Sequence, residues 1–278
     1  MAGPPAIGTL GRAEIETLIG WAADEGWNPG RHDAAAFHAA DPGGFLGVFL
    51  DGEMVAGISA VAYGQTFGFV GLYICRPDMR GKGYGRMAWD AGLARLAGRT
   101  VGLDGVPAQQ ANYRRMGFAP CYRTLRYSGS LSGSRDSSAL HDAGPEHFSR
   151  IMAFDRLHFP ERRGAFLERW LKPPHRALIH VEDGTVTGYG VVRACRDGFK
   201  IGPLFAREEA VARSLFGALA SRCRGPVQID VPETARDFIG FLDQAGFSPG
   251  FETCRMYRGP APEVSAGGIF GITTLELG

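Results

Sequence analysis

The chain reads as an α/β (α+β) protein of two tandem domains, each a mixed, mostly antiparallel sheet flanked by helices. Three observations predict this. A hairpin pattern, a strand, a helix, a short strand, a second helix and a closing strand recur in the same order about 130 residues apart, a period too long for a solenoid. Each copy joins an antiparallel hairpin to a strand–helix–strand step, which makes a mixed sheet. Between the copies stands SGSLSGSRDS, a Ser/Gly-rich stretch of linker composition. The expected division is therefore 1–128, a linker at 129–137, and 138–278.

Each half is expected to open with helical segments, at 11–40 and 144–172. In the first half FLGVFL, a DGE turn and MVAGISAV form the hairpin; in the second, RALIHV, an EDG turn and TVTGYGVVR repeat it. Asp51-Gly52 and Asp183-Gly184 carry the Asp-Gly turn signal. The strands FVGLYIC (69–75) and FKIGPLF (199–205) each lead into a helix. In the first of these helices Trp89, Leu93, Leu96 and Ala97 fall on one face. Short strands ending in aspartate follow, VGLD (101–104) and VQID (227–230), each succeeded by Val and by a proline at which a helix is expected to open. Both helices end in Gly-Phe, at Gly117-Phe118 and Gly246-Phe247, and both halves close in a strand finishing Tyr-x-Gly, at Tyr127 and Tyr257.

Composition narrows the function classes. A hydrophobic share of 45% in 278 residues suits a soluble globular protein. A net charge of +1 argues against a nucleic-acid surface or a membrane-binding tail. The five cysteines (Cys75, Cys121, Cys195, Cys223, Cys254) are scattered and form no CxxC, which favours reduced thiols and a cytoplasmic setting. The seven histidines form neither HExxH nor an i, i+4 pair, so no metal site is expected. MAGPPAIGTLG lacks the basic start and apolar run of a signal peptide.

The stretch RPDMRGKGYGRMAWDAGLARLA (76–97) carries the chemistry. Gly81, Gly83 and Gly85 sit among Arg76, Arg80, Lys82 and Arg86 at a helix entrance. Such an entrance has unpaired N–H groups and the positive dipole end, and glycines let an anion approach the backbone. A Walker loop is excluded, because Gly83 follows Lys82 where Ser or Thr is needed. Gly83-Tyr84-Gly85-Arg86-Met87-Ala88 satisfies the dinucleotide fingerprint, with Asp104 at a later strand end, but RPDMRGK separates Gly83 from the strand it should follow at once.

Arg80-Gly81-Lys82-Gly83-Tyr84-Gly85 matches the R/Q-x-x-G-x-G/A motif of the GNAT superfamily of N-acetyltransferases, which the first half resembles from end to end. Tyr113, four residues before Gly117-Phe118, stands where that family keeps a signature tyrosine. The whole chain is similar to tandem GNAT proteins, with the glycine and basic clusters missing from the second half: Glu208 and Glu209 stand at its helix entrance and Leu242 replaces the tyrosine.

The resemblance implies acetyl-CoA as cosubstrate and an amine as acceptor, on a monomer or homodimer. It implies that the backbone from Gly81 to Arg86, including Lys82, Tyr84 and Gly85, cradles the pyrophosphate, with Arg80 and Arg86 adding charge-assisted contacts. Main-chain groups of Ile74 and Cys75 would bond the pantetheine arm, and Tyr113 would supply the thiolate's proton. Two roles fit Asp104, a general base and a cap for the following helix; two fit Cys75, a strand filler and an acyl nucleophile. Trp27, Asn28 and Asp33 lie in DEGWNPGRHD, a segment that in the family covers the acceptor, so Trp27 and Asp33 are expected to receive a cationic amine. Asp155, His158 and Arg162 are placed in an interdomain cleft. An acyl-CoA sensor without turnover is the alternative to an enzyme, and a dinucleotide-binding protein a lesser one.

Overall fold

The structure, a computed structural model, describes residues 3–131 and 139–278; of the expected linker, 132–137 lie outside these. The first half runs β1 (Ala6–Thr9), α1 (Arg12–Asp24), α2 (Ala34–Ala40), β2 (Phe45–Leu50), β3 (Glu53–Tyr63), β4 (Phe67–Cys75), α3 (Tyr84–Arg95), β5 (Thr100–Gly105), α4 (Pro107–Arg115) and β6 (Ala119–Gly129). The second runs β7 (Leu140–Asp142), α5 (Phe148–His158), α6 (Gly164–Trp170), β8 (Arg176–Glu182), β9 (Thr185–Ala194), β10 (Phe199–Ala206), α7 (Glu209–Ser221), β11 (Val227–Pro232), α8 (Arg236–Gln244), β12 (Ser248–Arg258) and β13 (Ile269–Gly271).

Local chemistry explains the repeated elements. Both hairpin turns put φ > 0 at two successive residues, Asp51 (50°) and Gly52 (85°), then Asp183 (48°) and Gly184 (72°). That geometry matches the strand twist and selects Asp-Gly. In β3, Gly57 lies against Leu18 of α1, whereas its neighbour Ile58 meets α3 at Gly92. Alternation along the strand therefore sends α1 and α3 to opposite faces. The second half does the same: Gly188 and Gly190 of β9 back onto α7, and Tyr189 between them faces Asp155 of α5.

Some boundaries differ from expectation. α8 opens at Arg236 rather than at Pro232, because Val231 and Pro232 stay paired with Leu125 and Thr124 of β6. α3 stops at Arg95, which leaves Ala97 exposed instead of on the buried face. The short strands β1, β7 and β13 have no counterpart in the sequence reading.

The larger departure is in the sheet, whose order is β1-β2-β3-β4-β5-β12-β6-β11-β10-β9-β8-β7, with β13 on β10. The last strand of each half crosses over: β12 pairs with β5, β6 pairs with β11, and the two pair with each other, all antiparallel. Neither half closes on its own final strand. One apolar cluster lies under α3, one under α7, and a third is shared between the halves, where Phe37 of α2 stacks on Trp170 of α6 at 6.3 Å.

Candidate active site

β4 and β5 are parallel and pair only from Phe67–Thr100 to Val70–Leu103. Beyond that they part, and β4 bulges at Leu72, whose φ is +45°. Arg76 N–H donates to Val55 O, so by alternation Ile74, opposite Gly57, directs its peptide groups to β3. Those of Tyr73 and Cys75 face the opening. Ile74, expected from the sequence to offer its main chain, therefore turns it to β3, and Tyr73, one residue earlier, turns its own to the opening. The Cys75 carbonyl accepts from Arg80 Nε at 3.1 Å, and burial pushes the Cys75 thiol up, away from the thiolate a nucleophile requires.

A narrow cleft occupies the opening, with Tyr73, Asp104, Tyr113, Trp27, Thr253 and Glu276 among its lining residues. Tyr113 comes from α4, which opens at Pro107 as proline at N1 permits. Its ring stacks on Trp89 at 5.5 Å, and burial pushes its phenol up to about 12, so the hydroxyl keeps its proton at neutral pH.

The glycine loop adjoins this cleft. Gly81 and Gly83 have φ of 75° and 91°, and a Cβ on either would meet only open space. The left-handed backbone there requires glycine. Gly83 is the N-cap of α3 and offers no side-chain cap, and the first helical bond runs from Met87 N to Gly83 O at 3.1 Å. The N–H groups of Tyr84 and Arg86 have no partner in the helix, while that of Gly85 bonds the Cys75 sulfur. Arg80 pairs with Glu25, and Arg86 with Asp90 at 2.7 Å, both at the surface, while Lys82 is exposed beside Met79 Sδ. Exposed pairs of this kind are worth little and are readily exchanged for a phosphate.

The remaining expected residues scatter. Asp104 lines the cleft, yet both its oxygens accept from Arg255 of β12 at 2.8 Å, and Val106 rather than Asp104 caps α4. It is neither an open base nor a cap. Asp33 is fully buried, accepting from Gly30 N at 2.8 Å and Arg193 Nε at 3.1 Å, with His175 Nε2 at 3.5 Å. It ties the halves together instead of facing an acceptor. Asn28 does likewise, bonding the main chain of Asp197 and the side chain of Gln228. Of that segment only Trp27 reaches the cleft. Asp155 is held by Arg163 at 2.7 and 2.9 Å, His158 Nδ1 lies 2.9 Å from Ser265 O, and Arg162 is exposed on the surface; no common cleft unites them.

The cleft walls missed by the sequence reading come from the second half: Phe251 and Thr253 on the crossing strand β12, and Leu275 and Glu276 in the C-terminal tail. An apolar IFGI run beyond the closing strand is the only local sign that the tail packs.

In the second half β10 and β11 part after Ile201–Ile229, as β4 and β5 do. There β13 fills the gap: it pairs with β10 at Leu204 and Phe205, and Ile272 N donates to Asp230 O at 3.0 Å. Glu208 stands at the N-cap position of α7 without a side-chain capping bond, and Leu242 is fully buried.

Parted parallel strands, a bulge beside the gap and a glycine-built helix entrance define an acyltransferase scaffold in the first half, and the second half repeats the parted strands without the glycine entrance. The profile described as the acetyltransferase (GNAT) family matches residues 12–118, and the one described as the acetyltransferase (GNAT) domain matches 151–271. The holothin acyltransferase of Pseudoalteromonas sp. (strain SANK 73390) is 35% identical over 271 residues, covering 95% of this chain and 92% of that protein. The chain belongs to the GNAT family, as a tandem GNAT protein. A Pyrococcus horikoshii protein provisionally described as an acetyltransferase superposes with a TM-score of 0.82 at 22% identity, over 99% of this chain and 96% of that one. A tandem GNAT protein of the clavulanic acid biosynthesis pathway superposes with 0.61 at 15% identity, over 93% of this chain and all of that one. These two share the fold. Among the described residues no helix is long and apolar enough to span a membrane, and no group of three or more His, Cys, Asp or Glu is arranged to hold a metal.

Proposed function

We propose that the protein is an N-acyltransferase that moves an acetyl group from acetyl-CoA directly to an amine bound in the first half's cleft. The observation that carries this is the neutral phenol of Tyr113 in a cleft that it shares with Tyr73 of β4, where β4 has parted from β5, with the α3 entrance behind Tyr73 at Gly85. The N–H groups at the α3 entrance, those of Tyr84 and Arg86 among them, receive the pyrophosphate, with Lys82 beside them. The pantetheine arm lies along β4 against the main chain of Tyr73 and Cys75, in the place a neighbouring strand would take. The same surroundings that keep the Tyr113 phenol neutral penalise a thiolate. As the C–S bond breaks, Tyr113 gives its proton to sulfur and recovers one from the nitrogen of the new amide.

The test is a screen of amines with acetyl-CoA, read as release of free CoA thiol and confirmed by the mass of the acetylated product. Product formation by the full chain supports the enzyme. Tight acetyl-CoA binding with no release for any amine supports a sensor, and binding of NAD(P) without acetyl-CoA overturns the assignment.

A further inference from the structure

The C-terminal tail joins the two halves' clefts. β13 plugs the second, and the residues after it cross to the first, where Ser59 Oγ donates to Glu276 O at 3.1 Å and Tyr63 OH to Leu277 O at 3.1 Å. Gly71, on the same face of the sheet, has no room for a Cβ, because the Glu276 main chain lies against it. Leu277 N donates to Thr274 Oγ1 at 2.9 Å, which locks the turn. The tail is thus fixed along its length, and it brings Glu276 into the wall of the cleft that Trp27 and Tyr113 also line.

Glu276 is 2% exposed, yet neither carboxylate oxygen has a hydrogen-bond partner. Buried carboxylates are ordinarily paired, since an unsatisfied one carries its full desolvation cost. The charged groups around it make their bonds elsewhere: Arg126 with Asp230 at 2.7 Å, Arg193 Nε with Asp33 at 3.1 Å, its Nη2 having no partner, and Lys200 with Trp27 O at 3.2 Å. Burial raises the Glu276 carboxyl, and the fields of Lys200, Arg193 and Arg126 oppose that rise while Asp33 adds to it. The three cations favour the ionised form without occupying its oxygens.

We infer that Glu276 receives the acceptor amine, which therefore belongs to the alkylamines that are ammonium ions in solution, and takes the proton that must leave before attack. This rests on the N-acyltransferase reading. The ammonium gives one proton to the carboxylate, and the freed lone pair attacks the acetyl carbonyl carbon. The C–N bond forms, the C–S bond breaks, and Tyr113 protonates the sulfur and is restored by the second nitrogen proton. The proton on Glu276 returns to solvent with product release.

Glu276→Gln keeps the side chain's shape and removes the charge. Three measurements on the full chain decide: acetyl-CoA affinity by calorimetry, kcat/KM for the best alkylamine and the best arylamine of the amine screen, and the pH profile of kcat/KM. The expected result is unchanged acetyl-CoA affinity, a loss on the order of 10²- to 10³-fold with the alkylamine, and a loss under about tenfold with the arylamine, which is already neutral. The wild-type profile should rise with pH through an ionisation that E276Q lacks. Equal losses with both amines, or a retained acid limb, overturn the inference and leave the enzyme assignment standing; acceptance of arylamines alone does the same. Where only alkylamines are accepted, the acid limb decides. Should E276Q not fold, Glu276→Asp, which withdraws the charge by one methylene, decides: a full alkylamine rate with an unchanged acid limb overturns it. Absence of transfer by the wild-type chain to any amine overturns both readings.

Discussion

Tyr113 and Asp230 show how surroundings set what one residue does. Tyr113 keeps its proton because its ring is enclosed by Trp89 and the cleft wall. Tyr113→Phe should therefore lower kcat by on the order of 10² to 10⁴ while leaving acetyl-CoA affinity intact, measured by thiol release and calorimetry. An unchanged kcat would reduce the phenol to packing. Asp230 is buried too, but against the upward push of burial Arg126 and Lys200 hold its carboxyl down to about 2. A carboxyl lowered on folding adds stability above its unfolded pKa and loses it as pH falls through the folded one. From the ordinary 3.8 to about 2, that contribution is about 2 kcal/mol, present above about pH 4 and gone near pH 2. Urea midpoints between pH 5 and 2 should fall accordingly, and Asp230→Asn should flatten that fall. Lys200 lies on the other side of the balance: burial and Arg126 bring its ammonium down to about 8.

At the scale of elements, the α3 entrance depends on a backbone that only glycine adopts freely. Gly83→Val puts a β-branched residue at a φ of 91°, at a cost of about 1–2 kcal/mol, and fills the open space in front of the helix. Acetyl-CoA binding should be abolished while circular dichroism still reports a folded chain; retained affinity would move the pyrophosphate elsewhere. This entrance was legible in the sequence, as were the two Asp-Gly turns, because each asks for φ > 0 from a residue able to supply it. What the sequence did not carry is the partner of each side chain. Asp104 and Asp33 were expected to serve as a base and an amine receptor, yet both are held in buried ion pairs. Their cations, Arg255 and Arg193, lie 151 and 160 positions away and leave no local trace. Ile74 and Tyr73 differ only in the phase of the ladder, which the Leu72 bulge and the pairing with β3 set. Glu276 was invisible because a ten-residue tail has no period to read.

At the scale of the whole molecule, the two halves have divided one inheritance. The first keeps an open gap between parallel strands; the second has its gap filled by β13 and carries Glu208 and Glu209 at the entrance of α7. Titration should accordingly give one acetyl-CoA per chain, and two would refute that division. The crossing of β6 and β12 has a consequence for how the protein could be taken apart. Every strand pair at the seam, β5–β12, β12–β6 and β6–β11, joins one half to the other, and the buried pairs Asp104–Arg255 and Asp230–Arg126 are both made across it. A bond broken between the halves would release no domain. The two pieces would remain one particle, and made separately each would expose an unpaired strand edge until it met the other, as obligate partners in a heterodimer do. The chain is, in effect, a dimer whose subunits have been spliced end to end, and its link could be severed without undoing the assembly.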